Sequence, residues 1–167
     1  MKKKYLKRYL FFLMPFLWAL MWVCVSFSPI RLWQNYHQTL PLVLIIIFYC
    51  ALFDYRRLNV FMIFILGLLA DFLSFGSIGL NCFIYVLMFF MANLLQPYIQ
   101  NFSFKYLWLF FCALMLISDV IWAWLARLTT GVWVSASFWF VQYLFTCLCY
   151  PIITWLTAKL NRYTKDV

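Results

Sequence analysis

The chain is 167 residues long, 68% hydrophobic and 24% aromatic, with only 10% charged residues and a formal net charge of +9. So little polar surface excludes a water-soluble domain, and six membrane helices of roughly 20 residues each would leave no length for one. A closed barrel would show short alternating segments, whereas the run from Leu42 to Cys50 is apolar on every side. The expected class is therefore all-α, a single polytopic membrane domain over residues 1–167.

Residues 1–8, MKKKYLKR, carry five cations and lead into an apolar run expected to span at 9–27. The run is longer than a secretory h-region and lacks a small-x-small cleavage site before Ser28 and Pro29, so it is expected to remain as an anchor. The tail reads first as a topology signal, with a contact to anionic lipid or a cytoplasmic partner as the sharper alternative. The first connection holds Trp33 and Tyr36, rings suited to the membrane interface, and one cation, Arg31. A short second span is expected at 40–53, with Pro41 in its first turn. It must start earlier, thin the bilayer locally or sit inside the bundle. Asp54, Arg56 and Arg57 then form a cytoplasmic turn.

The third span, expected at 58–75, contains the most informative stretch, GLLADFLSFGSIGLN from Gly67 to Asn81. Gly67 and Ser74 fall four residues before and three after Asp71, so all three share a small, polar helix face of the kind helix contacts in lipid use. Gly76 and Gly79 allow a tight, uncharged turn, and Asn81 opens a fourth span at 80–96. The fifth span, at 106–126, carries a second intramembrane acid, Asp119. Counting about 1.5 Å per residue puts Asp71 and Asp119 roughly 20 and 18 Å from the cytoplasmic ends of two parallel helices, at similar depth. The sixth span, at 135–157, is expected to bend at Pro151, whose ring removes an internal hydrogen bond.

Charge supports this topology. The N-terminal tail, Arg56, Arg57, Lys105, Lys159, Arg162 and Lys165 fall on one side, and only Arg31 and Arg127 on the other. Both termini are thus expected in the cytoplasm. The positive balance follows from topology and needs no nucleic-acid partner.

Chemistry is sparse. There is no Glu, His37 is the only histidine, and the six cysteines (Cys24, Cys50, Cys82, Cys112, Cys147 and Cys149) lie scattered through apolar runs. They read as packing residues, not as metal ligands or a hydrolytic constellation, so the expectation is no enzyme, no metal and no cofactor. An ionised carboxylate in the bilayer costs roughly 2.5–3.5 kcal/mol on insertion scales, so it pairs, lines a cavity or becomes protonated. Three roles follow for Asp71 and Asp119: accepting neighbouring hydrogen bonds that fix helix register, lining a ligand or partner pocket, or carrying protons.

The G-x-x-x-D of Gly67 to Asp71, followed by G-x-x-G from Gly76 to Gly79, resembles the signature of the MreD family of bacterial rod-shape-determining membrane proteins. Pro41, Arg57, Asp119 after Ser118, and Pro151 ahead of a basic tail follow the same order. The resemblance covers the chain from about Pro41 onward. It implies a non-enzymatic scaffold of the cell-wall elongation complex in the bacterial inner membrane. Its partners would be an MreC-like bitopic protein, the MreB filament, and RodA with its transpeptidase; a homodimer is compatible with it. That family's six-helix arrangement is similar to the S-component fold of energy-coupling-factor transporters, so a vitamin-binding transporter subunit is the rival expectation. Against the rival, the first span has one alanine, Ala19, where S-component docking uses small residues spaced by four.

Overall fold

The computed structural model describes residues 2–26, 41–53, 58–74, 79–99, 102–131 and 136–165, with side chains over 14–26, 41–53, 58–74, 79–99, 102–129, 131 and 139–161. Six helices occupy them: α1 Lys2–Ser26, α2 Val43–Phe53, α3 Val60–Ser74, α4 Leu80–Ile99, α5 Phe104–Thr130 and α6 Ala136–Lys165. No strand occurs among the described residues. Three stretches in them are long and apolar enough to cross a membrane, Leu80–Ile99, Phe104–Thr129 and Trp139–Asn161; Met14–Ser26, Val43–Phe53 and Val60–Ser74 are shorter apolar helices.

Helix ends depart from the expected spans at several points. α1 and α6 continue into their basic ends, at Lys2 and Lys165, because nothing there breaks a helix. α4 runs through Pro97 to Ile99, and α5 starts two residues early, at Phe104, and runs to Thr130. Gly131 ends α5 with a left-handed φ of 72° and an N–H bond to the Arg127 carbonyl at 2.8 Å. α2 starts late, at Val43, after tight bonds from Leu44 N to Pro41 O and from Ile45 N to Leu42 O.

α2 is the inner helix. Val43 through Phe48, Cys50, Ala51 and Leu52 are all buried, and α1, α4 and α6 pack around it. Its 11 residues rise only about 16 Å, so the short second segment sits inside the bundle. α4 in turn packs against α3, α2 and α5, and α5 against α6. Phe48, Phe111 and Tyr150 tie α2, α5 and α6 together, with the Phe111 and Tyr150 rings stacked at 4.6 Å and Phe48 5.4 Å from Phe111.

The perimeter is apolar. Phe61, Leu109, Val141, Ile152 and Trp155 are all exposed, while Asp71, Ser118, Thr146, Thr154 and Thr157 are buried. Water would penalise that distribution; lipid favours it, provided the inner polar groups bond to one another. Thr146, Thr154 and Thr157 each donate to the carbonyl four residues back in α6.

Pro151 lies inside α6, which continues on both sides of it. Its ring leaves the Cys147 carbonyl without the usual donor. Trp108 of α5 supplies one, its Nε1–H lying 2.9 Å from Cys147 O. One turn away the direction reverses, and the Tyr143 hydroxyl of α6 donates to Cys112 O of α5 at 3.1 Å.

Candidate functional site

The G-x-x-x-D motif sits at the junction of α3 and α4, the most closely packed helix pair. Asp71 is 1% exposed. Its Oδ2 accepts the backbone N–H of Gly79 at 2.8 Å and of Cys82 at 3.2 Å, and its Oδ1 accepts that of Asn81 at 2.9 Å. Gly79 is the N-cap position of α4, since its carbonyl already accepts the Phe83 N–H at 2.9 Å. A capping side chain ordinarily bonds the N–H groups two and three residues further on. Glycine has no side chain, so Asp71 performs that task from the preceding helix, on Asn81 and Cys82, and also bonds the N–H of Gly79 itself. The negative carboxylate also opposes the positive end of the α4 dipole.

The glycines have separate reasons. Gly79 adopts φ 104°, a conformation that disfavours any side chain. Gly67 is needed for approach: a Cβ there would lie 2.4 Å from Cys82 Cα and 3.0 Å from Cys82 N. The obstruction is backbone, so no rotamer change relieves it. One turn of α3 therefore lets the chains touch at Cys82, and the next turn bonds the N–H groups around it. The Cys82 Sγ–H adds a weak bond to Phe64 O at 3.6 Å.

Of the residues singled out in the sequence, Gly67, Asp71, Gly79 and Asn81 come together here, Asn81 through its backbone N–H. Ser74 lies beside them but does not reach the carboxylate; its hydroxyl donates to the Asp71 backbone carbonyl at 2.9 Å, near the end of α3. Gly76, Asp54, Arg56 and Arg57 lie outside the described residues. Asp119 belongs elsewhere. It is half-buried on α5, within electrostatic range of Tyr143 and Cys147 of α6. The two acids thus serve different helix pairs. A cavity of about 190 Å³ lies between α1, α2 and α6, and neither acid lines it.

Three residues make contacts that the sequence did not indicate. Cys82, read as a packing residue, contributes the backbone that Gly67 abuts and Asp71 bonds. Gln96 donates through Nε2 to Leu52 O at 3.2 Å, satisfying a carbonyl at the end of α2. Ser118 donates to Met88 Sδ at 3.8 Å, between α5 and α4. Among the described residues no group of three or more His, Cys, Asp or Glu could hold a metal ion. No protein-family model, curated protein or solved structure matches the chain.

Proposed function

We propose that the chain is a non-enzymatic membrane scaffold of the MreD type, acting in bacterial cell-wall elongation. The observation that carries this reading is that three backbone N–H groups occupy both oxygens of Asp71. A proton carrier exchanges hydrogen-bond partners in each cycle; here that exchange would uncap α4. A ligand-binding acid turns lone pairs toward a cavity, and the cavity between α1, α2 and α6 lies away from this carboxylate. What remains is an acid that fixes the register of two helices, as a rigid platform for other membrane helices requires.

The order of Gly67, Asp71, Gly79, Asp119 and Pro151 supports the family reading, and the one-sided distribution of Lys and Arg supports six spans with both termini cytoplasmic in the bacterial inner membrane. In this reading the chain binds an MreC-like bitopic protein and through it acts with MreB, RodA and the RodA transpeptidase. A mild-detergent pull-down of the tagged chain from its native membranes, with identification of co-purifying proteins and small molecules, tests it. A bitopic MreC-like chain is the expected result, together with cell rounding on depletion. A tightly retained vitamin, with auxotrophy on depletion, would replace this reading by the S-component one.

A further inference from the structure

The cavity between α1, α2 and α6 belongs to neither acid and has its own chemistry. Met14, Trp18 and Met21 of α1 face Tyr49 of α2 and Thr157 and Asn161 of α6 across about 190 Å³. By volume, about 150 Å³ of apolar space holds a benzene-sized molecule. The space is far too narrow for another helix, about 10 Å across with its side chains. The Thr157 hydroxyl is already engaged: it accepts from Trp18 Nε1 at 3.3 Å and donates to Ile153 O at 2.7 Å. Two of the five α1 residues in the wall, Met14 and Met21, are flexible thioethers, which adapt to irregular alkyl groups. Met14 is 37% and Met21 42% exposed, so the groove opens on the bundle's apolar perimeter.

Beyond one end of the groove the sequence places cations on both helices. α1 and α6 run antiparallel here, Trp18 meeting Thr157 while Met14 and Asn161 line the same space. The helical period places positions 3 and 7 of α1 in register with Met14, Trp18 and Met21. Both positions are lysine, and position 7 precedes Met14 by about 10 Å of rise. α6 finishes at the same end, where the sequence adds Arg162 and Lys165. A largely apolar groove, followed along both helices by positions that are Lys or Arg in the sequence, matches one class of molecule.

We infer that this groove is a binding site for an anionic phospholipid, one acyl chain lying between α1 and α6 along Met14 to Met21 and the phosphate at the level of Lys3 and Lys7. The inference rests on the chain lying in a bilayer and is independent of the scaffold reading. The purified full-length chain in mild detergent is titrated with dioleoyl phosphatidylglycerol or dioleoyl phosphatidylcholine, and bound lipid is counted by native mass spectrometry. Phosphatidylglycerol is retained preferentially, and Lys3→Gln and Lys7→Gln each weaken its retention about fivefold. Met14→Trp fills the slot and abolishes retention, whereas Met14→Leu preserves it. The lysine variants lie outside the groove wall, so the test stands even where Met14→Trp misfolds. Equal retention of both lipids would overturn the inference, as would displacement of phosphatidylglycerol by soluble glycerol phosphate alone.

Discussion

Gly79 donates its backbone N–H to Oδ2 of Asp71 at 2.8 Å, so a carboxylate from α3 caps the first turn of α4. Asp71→Asn replaces one of two accepting oxygens with an N–H donor and removes the charge opposing the helix dipole. With the amide oxygen toward Gly79 and Cys82, its NH2 meets the Asn81 N–H, donor against donor. The expected cost is about 1–3 kcal/mol, with membrane insertion intact. Asp71→Leu leaves three N–H groups in the first turn of α4 without their acceptors, that of Cys82 buried, and costs more. Thermal unfolding in detergent reads the ranking, and hydrogen exchange reads its location as loss of protection at Asn81 and Cys82. Full stability and full function of Asp71→Leu would remove this residue from the account.

Gly67→Ala tests the approach of the two backbones. The added methyl carbon would meet Cys82 Cα at 2.4 Å, and since neither helix can yield by side-chain rotation, α3 and α4 must separate. Overpacking of this kind costs about 1–3 kcal/mol. Separation also lengthens the bonds to Asp71, so Gly67→Ala and Asp71→Asn should be markedly non-additive. Ser74→Ala, which removes a bond to a helix-end carbonyl and leaves the carboxylate untouched, is expected to cost at most about 1 kcal/mol.

Gly79→Ala separates conformation from contact, because nothing lies within 4 Å of the Cβ it would add. At φ 104° the strain costs about 1–2 kcal/mol, and the measurement is a lower unfolding temperature. Gly79→Asn, with better tolerance of left-handed backbone, should lose less.

The stretch from Gly67 to Asn81 was legible because helical spacing alone puts Gly67 and Asp71 on one face, and two spaced glycines mark a turn. The addressee of the carboxylate was not legible. Spacing within α3 fixes a face but cannot say that the face meets the N–H groups opening α4. The same gap explains Ser74, on the expected face yet bonded to a backbone carbonyl, and Asp119, which depth alone would pair with Asp71. α2 was half legible: its length required a special arrangement, and only its packing among α1, α4 and α6 chose the interior. Trp108 gave no signal, because the carbonyl it serves is freed by Pro151 on another helix.

That last relationship yields a test with an internal control. Trp108 and Cys147 are 39 residues apart in sequence, and their bond matters because residue 151 cannot donate. Trp108→Phe keeps an aromatic ring and leaves Cys147 O without a donor in an apolar interior, at a cost of about 1–3 kcal/mol. Pro151→Ala restores the N–H that α6 lacks. The double variant should therefore recover most of what Trp108→Phe loses, giving a coupling of about 1 kcal/mol or more in a double-mutant cycle. Tyr143→Phe provides the contrast. It removes a donor to Cys112 O, but that carbonyl faces a non-proline residue, Leu116, four positions on. Tyr143→Phe should thus cost less than Trp108→Phe and gain nothing from Pro151→Ala. Additive behaviour of Trp108→Phe and Pro151→Ala would mean that the indole contributes packing alone and that the Cys147 carbonyl is satisfied some other way.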